Sequence, residues 1–140
     1  MSAKFFLDTN IFVYSFDRAE PVKQKKTLAL IGEAIEDRNG VISYQIVQEF
    51  VNVASRKFAV PLKADDLSLY LREVLLPLCE IHSSSALLRE ALRTSTETGY
   101  SYYDALVLAA AAEAGCRTLY SEDLQHGQTV NSVKILNPFR

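Results

Sequence analysis

The sequence predicts an α/β protein with a parallel sheet of four to five strands flanked by helices on both faces. Short apolar runs recur at residues 5–7, 41–43, 78–81, 117–120 and 133–136, each of strand length and closed by polar or turn residues. Stretches of helical periodicity separate them, which is the pattern of βαβ units. Two of the runs, Phe5-Phe6-Leu7 and Arg117-Thr118-Leu119-Tyr120, flip at once to polar segments that carry an acid, Asp8 and Asp123.

The length of 140 residues fits one domain spanning positions 1–140. Hydrophobic residues make up 49% and charged residues 23%, enough apolar material for a real core. No apolar run approaches the roughly 20 residues that cross a membrane. Met1-Ser2-Ala3-Lys4 leads straight into the first strand without room for a signal peptide, so we expect a cytoplasmic protein. Cys79 and Cys116 lie among apolar residues without metal-type spacing and read as buried thiols. A net charge of −2 argues against gripping nucleic acid by bulk positive charge. It leaves room for an enzyme whose clustered carboxylates are offset by divalent ions.

After the first strand, residues 11–16 suit a short helix, and Pro21 suits the start of the next. Leu28, Ile31, Ala34 and Ile35 recur at three and four and predict an amphipathic helix over 22–37, stopped by Arg38-Asn39-Gly40. The helix over 44–56 carries Ile46, Val47, Phe50, Val51, Val53 and Ala54 on an arc of about 160°. Glu49 falls about 40° outside that arc, where it either pairs with Arg56 or faces a site. Residues 63–76 predict a further helix ending at Pro77. Leu87, Leu88, Ala91 and Leu92 mark another, capped by Ser83 or Ser84 and followed by a polar break over 94–99. Ser101-Tyr102-Tyr103-Asp104 opens the most helical stretch, 105–114, closed by Gly115. Asp104 completes a capping-box-like pattern with Ser101, or the positive helix end projects it into a site. Residues 124–128 read as a loop before the last strand. Lys23, Lys25 and Lys26 form a small basic cluster whose default is a solvated face.

In a parallel sheet the carboxyl ends of the strands share one edge, outside which ligands bind. Asp8 and Asp123 follow strands, Asp104 opens a helix entering from that edge, and Glu49 lies in the second turn of a helix leaving it. Asp8 taken alone reads first as a helix cap, and only its partners elsewhere in the chain favour a site. Four acids from four segments, with no Lys or Arg among them, form a repelling set that suits a divalent cation. Oxygen-only donors favour Mg²⁺ or Mn²⁺ over zinc. Such an ion with waters left on it suits phosphodiester hydrolysis.

The order Leu7-Asp8-Thr9-Asn10, Glu49 in a helix, Tyr103-Asp104-Ala105 and Ser121-Glu122-Asp123 resembles the PIN domain. The segment from His126-Gly127 through Ile135-Leu136-Asn137-Pro138-Phe139 is similar to VapC-type toxins. The likeness covers essentially the whole chain. It implies a PIN-like three-layer domain and an endoribonuclease preferring single strands, with a Mg²⁺ or Mn²⁺ site. Asp8 and Asp104 would be the main ligands, and Glu49 and Asp123 would hold a second ion directly or through water. Asn10 and Ser121 match supporting positions. The resemblance also implies a type II toxin-antitoxin pair: a homodimer held inactive by a small antitoxin that inserts a segment into the acidic groove. The helices around 67–78 and 87–92 would offer surfaces for such contacts, although core packing explains them equally. Arg56, Lys57 and the cluster over 23–26 are candidates for RNA phosphates.

Two other readings compete. A haloacid dehalogenase-type phosphatase also begins with an apolar strand and Asp, but needs a second acid two residues on, where this chain has Asn10. A non-catalytic PIN-like binding module would not require all four acids.

Overall fold

Phe5, Phe6 and Leu7 form β1 (Phe5–Leu7), and all three are buried. A strand buried on both faces lies inside a sheet covered from both sides. The structure, a computed structural model, describes residues 3–140 and sets β1 within a six-stranded sheet of order β3-β2-β1-β4-β6-β5. The expectation drawn from Met1 and Ser2, a start without a leader, lies outside the described residues. From β1 the chain runs through α1 (Thr9–Tyr14) and α2 (Pro21–Glu36) into β2 (Gly40–Ser43). It continues through α3 (Tyr44–Arg56), α4 (Ala64–Tyr70), a π-helical turn at Leu71–Leu75 and α5 (Leu76–Leu78) into β3 (Cys79–Ile81). Then α6 (Ser85–Thr98) and α7 (Tyr102–Glu113) lead to β4 (Thr118–Tyr120), followed by β5 (Thr129–Val130) and β6 (Val133–Leu136).

All neighbouring strands are parallel except β5, which runs antiparallel to β6. The chain steps outward from β1 to β2 and β3, then returns across the sheet to β4 on the other side of β1. Parallel crossovers are right-handed, so this change of direction puts α6 and α7 on the face opposite α2 and α3. α6 packs on α7, while α1 packs on α2 and α3. Two helical layers therefore enclose the sheet, as the alternating pattern predicts. The reversal makes the β1/β4 boundary a switch point, the place where open α/β sheets bind ligands. Among the described residues, no helix is long and apolar enough to cross a membrane.

The structure differs from the sequence-based expectation in four places. The sheet has six strands because β5 and β6 form a hairpin across Asn131 (φ 51) and Ser132 (φ 68). Two successive positive φ values make the tight turn that suits a two-residue hairpin, but Asn-Ser is not its usual sequence. The polar break over 94–99 is instead the end of α6. There Thr96 and Thr98 donate their hydroxyls to the carbonyls of Leu92 and Thr94, and Gly99 (φ 82) closes the helix. The helix over 63–76 is interrupted by its π-helical turn, and Pro77 lies inside α5, whose first turn needs no N–H from it. On α2 the buried residues are Thr27, Ile31 and Ala34, whereas Leu28 and Ile35 are exposed. Thr27 can be buried because its hydroxyl donates to the carbonyls of Lys23 and Gln24.

α2 meets the sheet at Gly40. A Cβ there would lie 2.1 Å from Ala34 Cβ and 2.8 Å from Ala34 Cα. Part of the obstruction is backbone, so no rotamer change relieves it. Gly40→Ala is expected to push α2 off β2 and destabilise the fold by about 1–3 kcal/mol. A lowered urea midpoint with an unchanged m-value is the expected observation, and an unchanged midpoint would refute the close approach.

Candidate active site

The sheet ladder continues one residue past β1: the Asp8 amide donates to the Tyr120 carbonyl at 3.1 Å. This sets Asp8 beside Ser121, the residue after β4. The Asp8 carboxylate accepts from the Thr9 amide through Oδ1 and from the Ser121 hydroxyl through Oδ2, both at 2.7 Å. Asp8 thus caps α1 and lies at the β1/β4 switch point at once. It is buried with 8% of its surface exposed. Burial raises its pKa to about 6, against the hydrogen bonds from Ser121 and Thr9 and with the help of the Glu49 and Asp123 charges.

The three residues after β4 diverge. Ser121 is fully buried, and its Oγ also accepts from the Asp123 amide at 3.2 Å. The Glu122 carboxylate turns away to accept from Tyr14 Oη at 2.7 Å and from Lys23 Nζ at 2.6 Å. That Nζ lies 4.5 Å from the Tyr14 ring centroid and 5.0 Å from that of Phe139. The hydrogen bond to Glu122 holds the Lys23 ammonium up at about 12. Lys23 therefore serves an ion pair within the fold, and the solvated-face reading of that basic cluster does not extend to it. Asp123 stays at the edge, where Asn10 Nδ2 donates to its Oδ2 at 2.7 Å. Its pKa is raised by burial and by the Glu122 and Asp104 charges, with Asn10 opposing.

Glu49 is exposed on α3 and accepts from Thr9 Oγ1 at 3.3 Å. Its predicted alternative partner Arg56 makes no ion pair with it. Asp104 is half-buried in the first turn of α7, where its amide donates to Ser101 Oγ at 3.3 Å. The first turns of α3 and α7 are tied together, since Gln45 Nε2 donates to the Tyr103 carbonyl at 3.2 Å.

The four acids are linked in one electrostatic chain: Asp8 with Glu49 and Asp123, and Asp123 with Asp104. Among the described residues, none of the four forms a salt bridge; the ion pairs involve Glu80, Glu122, Glu73, Glu90 and Glu97. Also among these residues, no three His, Cys, Asp or Glu side chains are close enough to enclose one ion. Hydrogen bonds fix Asp8 to Ser121 and Asp123 to Asn10, while Asp104 stands on a separate helix. The donor chemistry nevertheless fits a hard divalent cation: oxygen-only, uncompensated, with two carboxyls, Asp8 and Asp123, held above their ordinary range by burial and like charge. Arg56 and Lys57 lie at the far end of α3, about 18 Å along its axis from Tyr44. Lys57 instead lines a cleft of about 720 Å³ with Val13, Phe16, Val53 and Phe58. That cleft is apolar and holds none of the four acids, so the chemistry points to the sheet edge and not to it.

Both thiols are buried or half-buried, and burial pushes Cys116 up to about 12, away from redox or metal chemistry. Sequence reasoning missed the Thr9–Glu49 bond and the anchoring of Glu122. Neither had a sequence signal, because each joins residues distant along the chain.

A family profile for the PIN domain matches residues 5–130. The structure of FitAB bound to an IR36 DNA fragment superimposes with a TM-score of 0.67 at 16% identity, covering 97% of this chain and 96% of that one. VapC20 of Mycobacterium tuberculosis, described as a sarcin–ricin loop cleaving toxin, gives 0.60 at 17% identity over 86% and 90% of the chains. VapBC2 of Rickettsia felis, bound to a DNA fragment from its promoter, gives 0.58 at 16% over 94% and 96%. No curated protein matches in sequence. At these identities the structural likenesses establish the fold.

Proposed function

The chain belongs to the PIN domain family, and from that premise we propose that it is a Mg²⁺- or Mn²⁺-dependent endoribonuclease, the toxin of a type II toxin-antitoxin pair. The observation that carries the proposal is the chain of four uncompensated carboxylates, Asp8, Glu49, Asp104 and Asp123, at the β1/β4 switch point. In this reading those four hold the metal. When bound, the ion would lower the pKa of a water and offset charge developing on the phosphate. Ser121 and Thr9 fix the direction of the Asp8 carboxylate, and Asn10 fixes that of Asp123. Asp104 stands in the first turn of α7. Thr9 restrains Glu49 from the α1 side.

The similarity to the FitAB and VapBC2 complexes supports an antitoxin as partner, and that to VapC20, a sarcin–ricin loop cleaving toxin, supports RNA as the substrate; a homodimer is the assembly that the family resemblance implies. Purified protein is expected to cleave single-stranded RNA with Mg²⁺ or Mn²⁺ and to stop with EDTA. Asp104→Asn should lower the rate by about 10²–10³-fold, as expected for the loss of several kcal/mol of charge stabilisation. Cleavage undiminished by EDTA would overturn the metal mechanism. Growth arrest on expression that vanishes in Asp104→Asn would identify a toxin, and harmless expression of an active wild type would rule one out.

A further inference from the structure

We propose that Tyr103 and Tyr44 form a stacking platform for unpaired bases of the substrate strand, next to the acidic edge; this rests on the nuclease reading above. Tyr103 immediately precedes Asp104, and 70% of its surface is exposed. Tyr44 opens α3 directly after β2, the strand beside β1, and is 45% exposed. The hydrogen bond from Gln45 Nε2 to the Tyr103 carbonyl joins the two helix starts, so both residues lie along the same stretch of the sheet edge. Each is braced on one side and open on the other. Tyr102 meets Tyr103 edge-on with centroids 5.8 Å apart, and exposed His82, just after β3, lies 6.2 Å from Tyr44.

The open side of each ring is unused by the fold, whereas an unpaired base offers a π-face that any sequence presents. The charge balance favours such a platform. The net charge is −2 and the edge itself is acidic, so phosphate contacts supply little grip. Stacking supplies affinity without positive charge and selects unpaired over paired strands, because a duplex hides its base faces.

The test uses the Asp8→Asn protein with Mg²⁺ and a fluorescent single-stranded 12-nucleotide RNA, read by anisotropy, beside wild-type cleavage kinetics. Tyr103→Ala and Tyr44→Ala should each weaken binding by about 5- to 100-fold, the range for loss of one stacked base. The slope of affinity against salt should not change, since no phosphate contact is removed. In the catalytically intact background, Tyr103→Ala should raise KM and leave kcat, and Tyr103→Phe should restore KM. Unchanged affinity in both alanine variants overturns the platform while leaving the nuclease assignment standing. Unchanged affinity together with loss of self-association in sedimentation would make this stretch of the edge a protein interface, which also overturns it. A wild type that neither binds nor cleaves RNA overturns the platform together with the proposed function.

Discussion

Asp8→Asn is expected to abolish cleavage and, with chelator present, to make the protein more stable at neutral pH. The native carboxyl titrates near 6, against an ordinary value of 3.8. A carboxyl whose pKa is raised by folding binds more protons in the native than in the unfolded state between those values. Its stabilising contribution is complete below about 3.8 and is lost as the pH rises through about 6. Above that range the ionised, buried Asp8 opposes folding by about 3 kcal/mol, two units at 1.36 kcal/mol each. Asn removes the charge and keeps the shape: its Oδ1 can accept from the Thr9 amide and its Nδ2 can donate to Ser121 Oγ. The variant should melt several degrees above wild type at pH 7.5, and the gap should close toward pH 4. A lower melting temperature at pH 7.5 would mean that the two hydrogen bonds to the carboxylate outweigh its burial.

Phe50→Ala is expected to destabilise the fold by about 3–5 kcal/mol, a large share of the total stability of a domain this size. Phe50 is fully buried in α3, and its ring packs on Phe12 at 6.2 Å, Phe16 at 5.8 Å, Phe58 at 6.1 Å and Tyr70 at 5.2 Å between centroids. These neighbours come from α1, the segments after α1 and α3, and the end of α4, so a cavity here loosens four pieces of chain together. Phe12 lies on α1, the helix that begins at Thr9, and Phe50 follows Glu49 directly. The same substitution should therefore reduce cleavage at temperatures where the protein remains folded. Urea denaturation measures the first effect, and a loss under 1 kcal/mol would show that the cluster closes over the gap.

Much of this protein is legible in its sequence because two periodicities dominate it. Strand-length apolar runs alternating with helix-period stretches lead to a parallel sheet between helices. The rule that strand carboxyl ends share an edge then places Asp8 and Asp123 together without knowledge of strand order. The fully buried β1 and the small-residue helix α7 follow the same logic. Elements of two or three residues, such as β5, and breaks in helical register, such as the turn at Leu71–Leu75, carry too few side chains for a periodicity to register.

Which side chains actually meet was decided by the tertiary structure. Ser121, Glu122 and Asp123 look alike as a polar turn, yet only the order β2-β1-β4-β6 separates them. It sets Ser121 against Asp8, leaves Asp123 to Asn10, and sends Glu122 to Lys23 and Tyr14. In the same way, α2 buries Thr27 in place of Leu28 because backbone carbonyls satisfy the hydroxyl inside the helix. The sequence by itself determined the layers and the sheet edge that Asp8 and Asp123 share, since apolar burial depends only on pattern. Only the tertiary structure decided their partners and their charge, since hydrogen bonds and desolvation depend on distances of a few ångströms between residues far apart in the chain.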